Sequence, residues 1–240
     1  MTSENKDASV VLTGQEAQVN PEPVSEGKSK AYRLDGEGFK VGATVRAIGT
    51  HVDEHSDAGG RRVDSRPAEG GQAISETATD GSYRGKASGP LLLGEDGEPH
   101  AARILAAKLR SLGRDVTELP KEEAENQRGE DRKFLIDGNE CVIQITMIPI
   151  DALWQGRVRG TGETAGQLSD AVELLRASFE KKHNKARGII LAVDAAHVGA
   201  LVSQDLVDAY LKAHGAPCKE FGFAQAWIVG PTEARTFRIA

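Results

Sequence analysis

The stretch "ECVIQITMIP", residues 140–149, decides the fold of this chain. It is apolar enough for a core strand, yet Gln144 and Thr146 interrupt it two residues apart. In an extended chain, residues two apart point to the same side. One face of the strand therefore carries Gln144 and Thr146, and the other face carries Ile143 and Ile145. A polar pair on such a strand indicates either a functional surface or a half-buried polar face beneath a helix.

The residues before this strand predict a tight β-hairpin. The tripeptide Asp-Gly-Asn at 137–139 separates two strand-like runs and is a strong hairpin signal. A turn formed by the last two of these residues places Asp131 opposite Thr146, on the face that carries Gln144. Asp131 is therefore the first choice for an acid beside the polar pair, and Asp137, nearer the turn, is the second. A one-residue slip of the turn would undo this choice.

The rest of the chain from residue 91 onward predicts a single α/β domain. A helix is expected after Pro99, and the continuous apolar run at 188–193 is typical of a strand buried on both faces. The order αβββαβαββ predicts a mixed central sheet flanked by helices over residues 91–240. The clearest helix has apolar residues in steps of three or four, at Leu168, Val172, Leu175 and Phe179.

The first ninety residues have a different composition. Only thirteen of them are Leu, Ile, Val or Phe, a share below that of a packed domain, and Gly, Ser, Glu and Asp are abundant. Residues 1–90 are therefore predicted to form a mostly disordered, flexible N-terminal extension, with residues 53–90 lacking stable structure. The exception is a β-hairpin at 31–48, where "DGEG" separates two short runs.

Charge and composition exclude several classes of protein. The formal net charge of −6 argues against a nonspecific nucleic-acid coat protein, which is usually basic. The start of the chain is polar and acidic, unlike a signal peptide, and no apolar run is long enough to span a bilayer. Two scattered cysteines form neither a disulfide framework nor a zinc site. A soluble, cytoplasmic protein without membrane contacts is expected.

One short motif is rejected. "HVDEH", residues 51–55, matches the H-x-x-E-H pattern of a class of zinc proteases. That pattern requires a helix to bring both histidines to one face. Here glycines flank the segment, and its residues show no helical period, so no helix is expected.

The strongest candidate motif combines the predicted hairpin around the turn at 137–139 with the helix predicted before it. "GEPHAARILAAKLRSLGRDV", residues 97–116, is followed by an Asp-bearing strand, a turn, and the apolar strand with its polar pair. This arrangement resembles the restriction-endonuclease-like superfamily, the PD-(D/E)xK nucleases, over roughly residues 94–195. Glu98 falls on the glutamate of the family's first helix. Gln144 and Thr146 stand where the family's third strand carries Asp/Glu-x-Lys, so the second acid and the lysine are both replaced.

The resemblance implies a metal site and a displaced lysine. Glu98, Asp131 and Gln144 would supply the oxygen ligands for Mg²⁺ or Mn²⁺. Thr146 cannot supply positive charge, but in some members of the superfamily the lysine has moved to the next helix. Continuing the apolar stripe of that helix by three residues leads to Lys182, with Lys181 as the fallback.

The resulting hypothesis is a divergent metal-dependent nuclease with catalytic residues Glu98, Asp131, Gln144 and Lys182. Nucleic acid is the expected partner, with DNA favoured over RNA. The first alternative is a catalytically inactive nuclease-like module that binds nucleic acid or a protein. The second alternative is an interaction domain whose residues 1–90 recruit protein partners.

Overall fold

The structure is a computed structural model that describes residues 29–34, 40–47, 50–66, 71–89, 97–120, 131–151, 161–183 and 188–240. The described backbone is mixed α/β, with two β-sheets and several helices. Within these residues, no helix combines the length and the apolar character needed to cross a membrane.

The first sheet is antiparallel and has seven strands among the described residues. Six strands follow one another along the chain, and the seventh, from the second half of the chain, pairs with the sixth at the sheet edge. The strands are β1 (Ser29–Leu34), β2 (Lys40–Ala47), β3 (Thr50–Asp57), β4 (Gly60–Arg66), β5 (Gln72–Ala78), β6 (Ser82–Ser88) and β10 (Thr161–Gln167).

This sheet corrects the sequence-based interpretation of residues 53–90: residues 53–66 and 71–89 form strands and turns rather than an unstructured linker, and residues 67–70 and 90 lie outside the described residues. Alternate residues on β4, β5 and β6 are buried, but many of them are small, such as Ser65, Ala73 and Ala87. A count of large apolar residues therefore misses strands that bury one face with small side chains. In the segment where the sequence predicts a hairpin, β1 and β2 pair antiparallel. Residues 1–28 lie outside the described residues.

In the part of the chain that the structure describes, the second sheet has six strands, and it carries the candidate site. Its spatial order is β7-β8-β9-β11-β12-β13, and β9, β11 and β12 are parallel to one another. The strands are β7 (Val116–Glu118), β8 (Arg132–Ile136), β9 (Asn139–Met147), β11 (Ile190–Asp194), β12 (Gln225–Val229) and β13 (Thr236–Arg238). The described α-helices are α1 (Glu98–Ser111), α2 (Leu168–Lys182), α3 (Gln204–His214) and α4 (Pro217–Phe221).

Each face of the second sheet packs in a separate core. On one face, Ile143 and Ile145 of β9 pack with the apolar side of α1. On the other face, Val142 of β9 packs in a core formed by β11 with α2 and α3. The alternation of β9 therefore directs its odd-numbered central residues toward α1 and its even-numbered ones toward α2.

The hairpin between β8 and β9 turns one residue earlier than the sequence predicts. Asp137 and Gly138 form the turn, with φ angles of 49° and 79°, and Arg132 pairs with Ile143. These positive φ values suit a two-residue type I′ turn, for which Asp-Gly is a preferred pair. Moving the turn by one residue shifts the pairing by two, so each side chain keeps its predicted face. Continuing the observed register places Asp131 opposite Gln144 rather than opposite Thr146.

A short segment after β11 joins the two sheets. The 3₁₀ segment Ala196–Leu201 packs on β4, β5 and β6, and the Ala200 amide donates to Ser75 Oγ at 2.8 Å. Gly199 is required at its centre, because a Cβ there would lie 2.8 Å from the Pro231 ring. The contact is therefore close, and the first sheet is packed against the loop that follows a core strand of the second.

A partly buried ion pair also joins the two sheets. Arg235, which follows β12, donates through Nε to Glu54 Oε2 of β3 at 2.8 Å and through Nη1 to the Val202 carbonyl at 3.1 Å. Burial lowers the pKa of Arg235 to about 10, so the guanidinium remains charged near neutral pH.

We expect Glu54→Ala to lower the free energy of unfolding by roughly 3 kcal/mol, because a buried guanidinium would lose its counter-charge. Urea unfolding followed by circular dichroism measures this change. Glu163→Gln is the matched control, since it removes an exposed pair with Lys86 and should leave stability nearly unchanged. Equal stability of the Glu54→Ala variant and the unmodified protein would show that the pair does not hold the sheets together.

Candidate active site

Asp131 is anchored immediately before β8. Its Oδ2 accepts a hydrogen bond from the backbone N–H of Ile145 at 2.7 Å, and its side chain is 16% exposed. This bond fixes the carboxylate against the C-terminal part of β9, at Ile145, which lies between Gln144 and Thr146. The carboxylate is therefore held by the strand itself while keeping some access to solvent.

Lys182 lies at the end of α2 and reaches the same carboxylate. Its Nζ is 3.6 Å from Asp131 Oδ2, and its side chain is 18% exposed. The buried residues Leu175 and Phe179 form the sheet-facing stripe of α2, and Lys182 continues that stripe by one more step. The lysine thus lies on the side of its helix that faces β9. Its neighbour Lys181 is exposed.

The polar pair of β9 lies beneath the same helix layer. Gln144 is 2% exposed and Thr146 is 5% exposed, and both share the β9 face of Val142, which packs in the α2 core. Asp131 and Lys182 meet beside them. The polar pair therefore belongs to a buried polar region next to an ion pair, on one side of the second sheet.

Glu98 belongs to the opposite side of this sheet. It begins α1, whose buried residues pack with Ile143 and Ile145 on the face turned away from Gln144. A carboxylate in the first turn of a helix is also favoured by the helix dipole. The structure thus brings Asp131 and Lys182 together beside β9, whereas Glu98 lies at the beginning of α1, on the other side of the sheet.

Asp137, the second-choice acid, has a role in the turn. Its Oδ1 accepts a hydrogen bond from the Asp115 N–H at 2.8 Å, and its carboxylate pairs with Arg114. The hydrogen bond from Arg114 is the largest of the effects that lower the pKa of Asp137. Asp137 therefore holds the β8–β9 turn against the start of β7, and Asp131 is the better candidate acid.

The oxygen donors beside β9 are few. Among the described residues, no group of three or more His, Cys, Asp or Glu side chains is arranged to hold a metal ion. Asp131 and Gln144 offer one carboxylate and one amide oxygen. Mg²⁺ commonly binds proteins through one or two carboxylates, with water and substrate phosphates completing its octahedron. These two oxygens are too few to enclose an ion, so a metal bound here would take its other ligands from water and substrate.

Three buried titratable groups were missed by the sequence analysis. Asp194 ends β11, and its Oδ1 accepts a hydrogen bond from the Ala196 N–H at 3.0 Å. Burial raises the pKa of Asp194 to about 7. Burial lowers the pKa of His197 to about 4, and burial together with Arg103 lowers the pKa of His100 to about 4. An acid directly after the apolar run at 188–193 was the one signal available in the sequence.

These shifts predict opposing effects of pH on stability. Each buried histidine binds its proton more weakly in the folded state, so its contribution to stability is lost as pH falls from 6.5 toward 4. Asp194 has a raised folded pKa, so its contribution is lost as pH rises from about 4 toward 7. Between pH 4 and 6.5 the unfolded state binds one more proton than the folded state at each histidine and one fewer at Asp194. We therefore expect these three groups together to lower the free energy of unfolding on acidification by about 1.4 kcal/mol per pH unit.

Variants separate the two contributions. Relative to the unmodified protein, Asp194→Asn should increase the slope of the free energy of unfolding against pH between pH 4 and 6.5 by about 1.4 kcal/mol per pH unit, and His197→Gln should decrease it by about the same amount. The measurement is urea unfolding at several pH values in that interval. Identical slopes in all three proteins would contradict the assignment.

Comparison with known proteins adds no relative: no family model matches this chain, and neither the curated proteins nor the solved structures yield a match.

Proposed function

We propose that this protein is a divergent metal-dependent phosphodiesterase that hydrolyses nucleic acid, with DNA favoured over RNA. The observation that carries the proposal is the pairing of Asp131 and Lys182 at 3.6 Å beside the polar pair of β9. An acid beside the strand that carries the polar pair, together with a lysine from the next helix, is the arrangement that the resemblance to the PD-(D/E)xK nucleases implies.

The roles of the two charged residues follow from their contacts. Asp131 would hold Mg²⁺ or Mn²⁺, with Gln144 contributing a neutral oxygen. Such an ion supplies polarisation of the phosphate and a nucleophilic hydroxide. The hydrogen bond from the Ile145 N–H would keep the Asp131 carboxylate in place when a metal ion weakens the ion pair between Asp131 and Lys182.

Lys182 would stabilise negative charge that develops on the phosphate. Its Nζ lies next to the candidate metal ligand, so a phosphate bound there would be within reach of the ammonium group. Positive charge positioned in advance at the reacting group is a major source of rate enhancement. Thr146, which stands where the family has its lysine, cannot provide that charge.

The direct test is cleavage by the purified full chain. Duplex DNA, single-stranded DNA and RNA are incubated with Mg²⁺ or Mn²⁺ over a concentration series, and with EDTA. The expected result is metal-dependent cleavage that is strongest on a DNA form. Absence of cleavage of every substrate with both metals would refute the proposal.

A second candidate function is a catalytically inactive nuclease-like module that binds nucleic acid or a protein. It is favoured by the replacement of the family's acid and lysine by Gln144 and Thr146, and by the position of Glu98 in the opposite helix layer. Nucleic-acid binding in EDTA without any cleavage on metal addition would support this candidate.

Restoring the second acid should strengthen metal binding. Gln144→Glu places a second carboxylate beside Asp131, and a hard divalent cation is attracted more strongly by more anionic ligands. We expect Mg²⁺ affinity to rise by at least about tenfold, which corresponds to about 1.4 kcal/mol. Isothermal titration calorimetry measures the change.

The same substitution should lower the melting temperature without metal, because it buries a charge next to Asp131. Added Mg²⁺ should then restore stability through binding to the folded state. Thr161→Glu, at an exposed position of β10 in the other sheet, adds the same charge and is the control, which should alter neither property. A variant that is destabilised but not rescued by Mg²⁺ would show that the polar pair is purely structural.

A further inference from the structure

The second sheet has a cavity at its β13 edge. A cavity of about 440 Å³ opens beside the edge strand β13, bordered by the C-terminal end of α1. In the strand order, β13 is four positions from β8. Its lining residues Leu109 and Trp227 belong to the core on the α1 side of the sheet, whereas Lys182 lies on the α2 side. It is therefore separate from the candidate active site.

The side chains around this cavity carry positive charge. Lys108 of α1, Arg114 after that helix, and Arg238 of β13 all line it, and none of its described lining residues is acidic. The side-chain amides of Gln204 and Gln225 add further hydrogen-bond groups. The lining therefore favours an anion that accepts several hydrogen bonds.

The positive groups are held in different ways. Arg114 is oriented by its pairing with Asp137, and Arg238 Nε donates to the carbonyl of Ala240 at 3.0 Å. Arg238 remains exposed, and Lys108 is partly exposed. At least two of the three cations can thus approach a ligand from solvent without a rearrangement of the core.

The end of α1 does not cancel this charge. The carbonyl end of a helix is negative, but three of its last carbonyls accept backbone hydrogen bonds here. The Leu112 N–H donates to the Lys108 carbonyl, and the Gly113 N–H donates to the Arg110 carbonyl. The Arg114 N–H donates to the Leu109 carbonyl. Apolar surface is also available, because Leu112 is 57% exposed at the cavity.

We propose that this cavity binds the phosphate of a nucleotide, either free or within a nucleic-acid strand. Lys108 and Arg238 contact the phosphate oxygens, and the apolar surface at Leu112 contacts the nucleoside. This assignment does not rest on the proposed hydrolysis, because it requires neither a metal ion nor Asp131.

The test is ligand binding by the full chain in EDTA at low ionic strength. Isothermal titration calorimetry is performed with AMP, with pyrophosphate, and with a short single-stranded oligonucleotide. The lining variant is Lys108→Gln with Arg238→Gln. The matched control is Lys212→Gln with Arg66→Gln, which removes the same charge from exposed positions outside the cavity.

The lining variant should weaken AMP binding by roughly tenfold or more, because two charge-assisted contacts are lost, and the control should leave it unchanged. Lys108→Arg with Arg238→Lys keeps the charge and should bind AMP nearly normally. Competition between AMP and the oligonucleotide would identify a strand as the ligand, and AMP binding without competition would identify a free nucleotide. Absence of AMP binding, or equal binding by the lining variant, would overturn the proposal.

Discussion

Asp131→Ala is expected to abolish metal-dependent cleavage and to reduce Mg²⁺ binding below detection. The substitution removes the carboxylate that the Ile145 N–H holds against β9. It also leaves the partly buried ammonium group of Lys182 without that counter-charge, and an unpaired positive charge repels a divalent cation. Cleavage of labelled DNA and calorimetric titration with Mg²⁺ measure the two losses.

Two further variants make this result specific. Asp131→Asn keeps an oxygen that can accept from the Ile145 N–H but loses the negative charge, so it should also be inactive while remaining folded. Asp137→Ala removes the acid of the β8–β9 turn and should retain cleavage. Activity that survives Asp131→Ala and disappears in Asp137→Ala would show that the turn residue is the functional acid.

Lys182→Ala is expected to lower the cleavage rate by about 10²–10³-fold, the usual effect of losing one group that stabilises transition-state charge. Metal affinity should be unchanged or higher, because Lys182 no longer competes with the ion for Asp131 Oδ2. Single-turnover cleavage rates and Mg²⁺ titration separate these outcomes. A loss of metal binding together with the rate would instead indicate that Lys182 only positions Asp131.

The neighbouring lysine provides the control for this prediction. Lys181 is exposed and precedes Lys182 on α2, so Lys181→Ala changes the same charge without affecting the ion pair. Its cleavage rate should be close to that of the unmodified protein. Lys182→Arg keeps the positive charge and should recover part of the rate.

The sequence by itself determined the faces of β9 and the sheet-facing stripe of α2. Both follow from local periodicity, because neighbouring side chains on one element have fixed directions whatever that element packs against. Gln144 and Thr146 consequently share a face, and Lys182 lies on the stripe that contains Phe179. The placement of Asp131 on the same face also survived a shifted turn, since a shift of two in pairing preserves the alternation.

Only the tertiary structure decided which helix covers each face, and so separated Glu98 from Gln144. It also decided that β4, β5 and β6 are strands, because their small inner residues become buried against the segment after β11 and the core to which it belongs. The raised pKa of Asp194 has the same origin, since desolvation depends on atoms brought together from distant parts of the chain. Local pattern fixes the direction of a side chain, whereas its neighbours and solvent access depend on long-range packing.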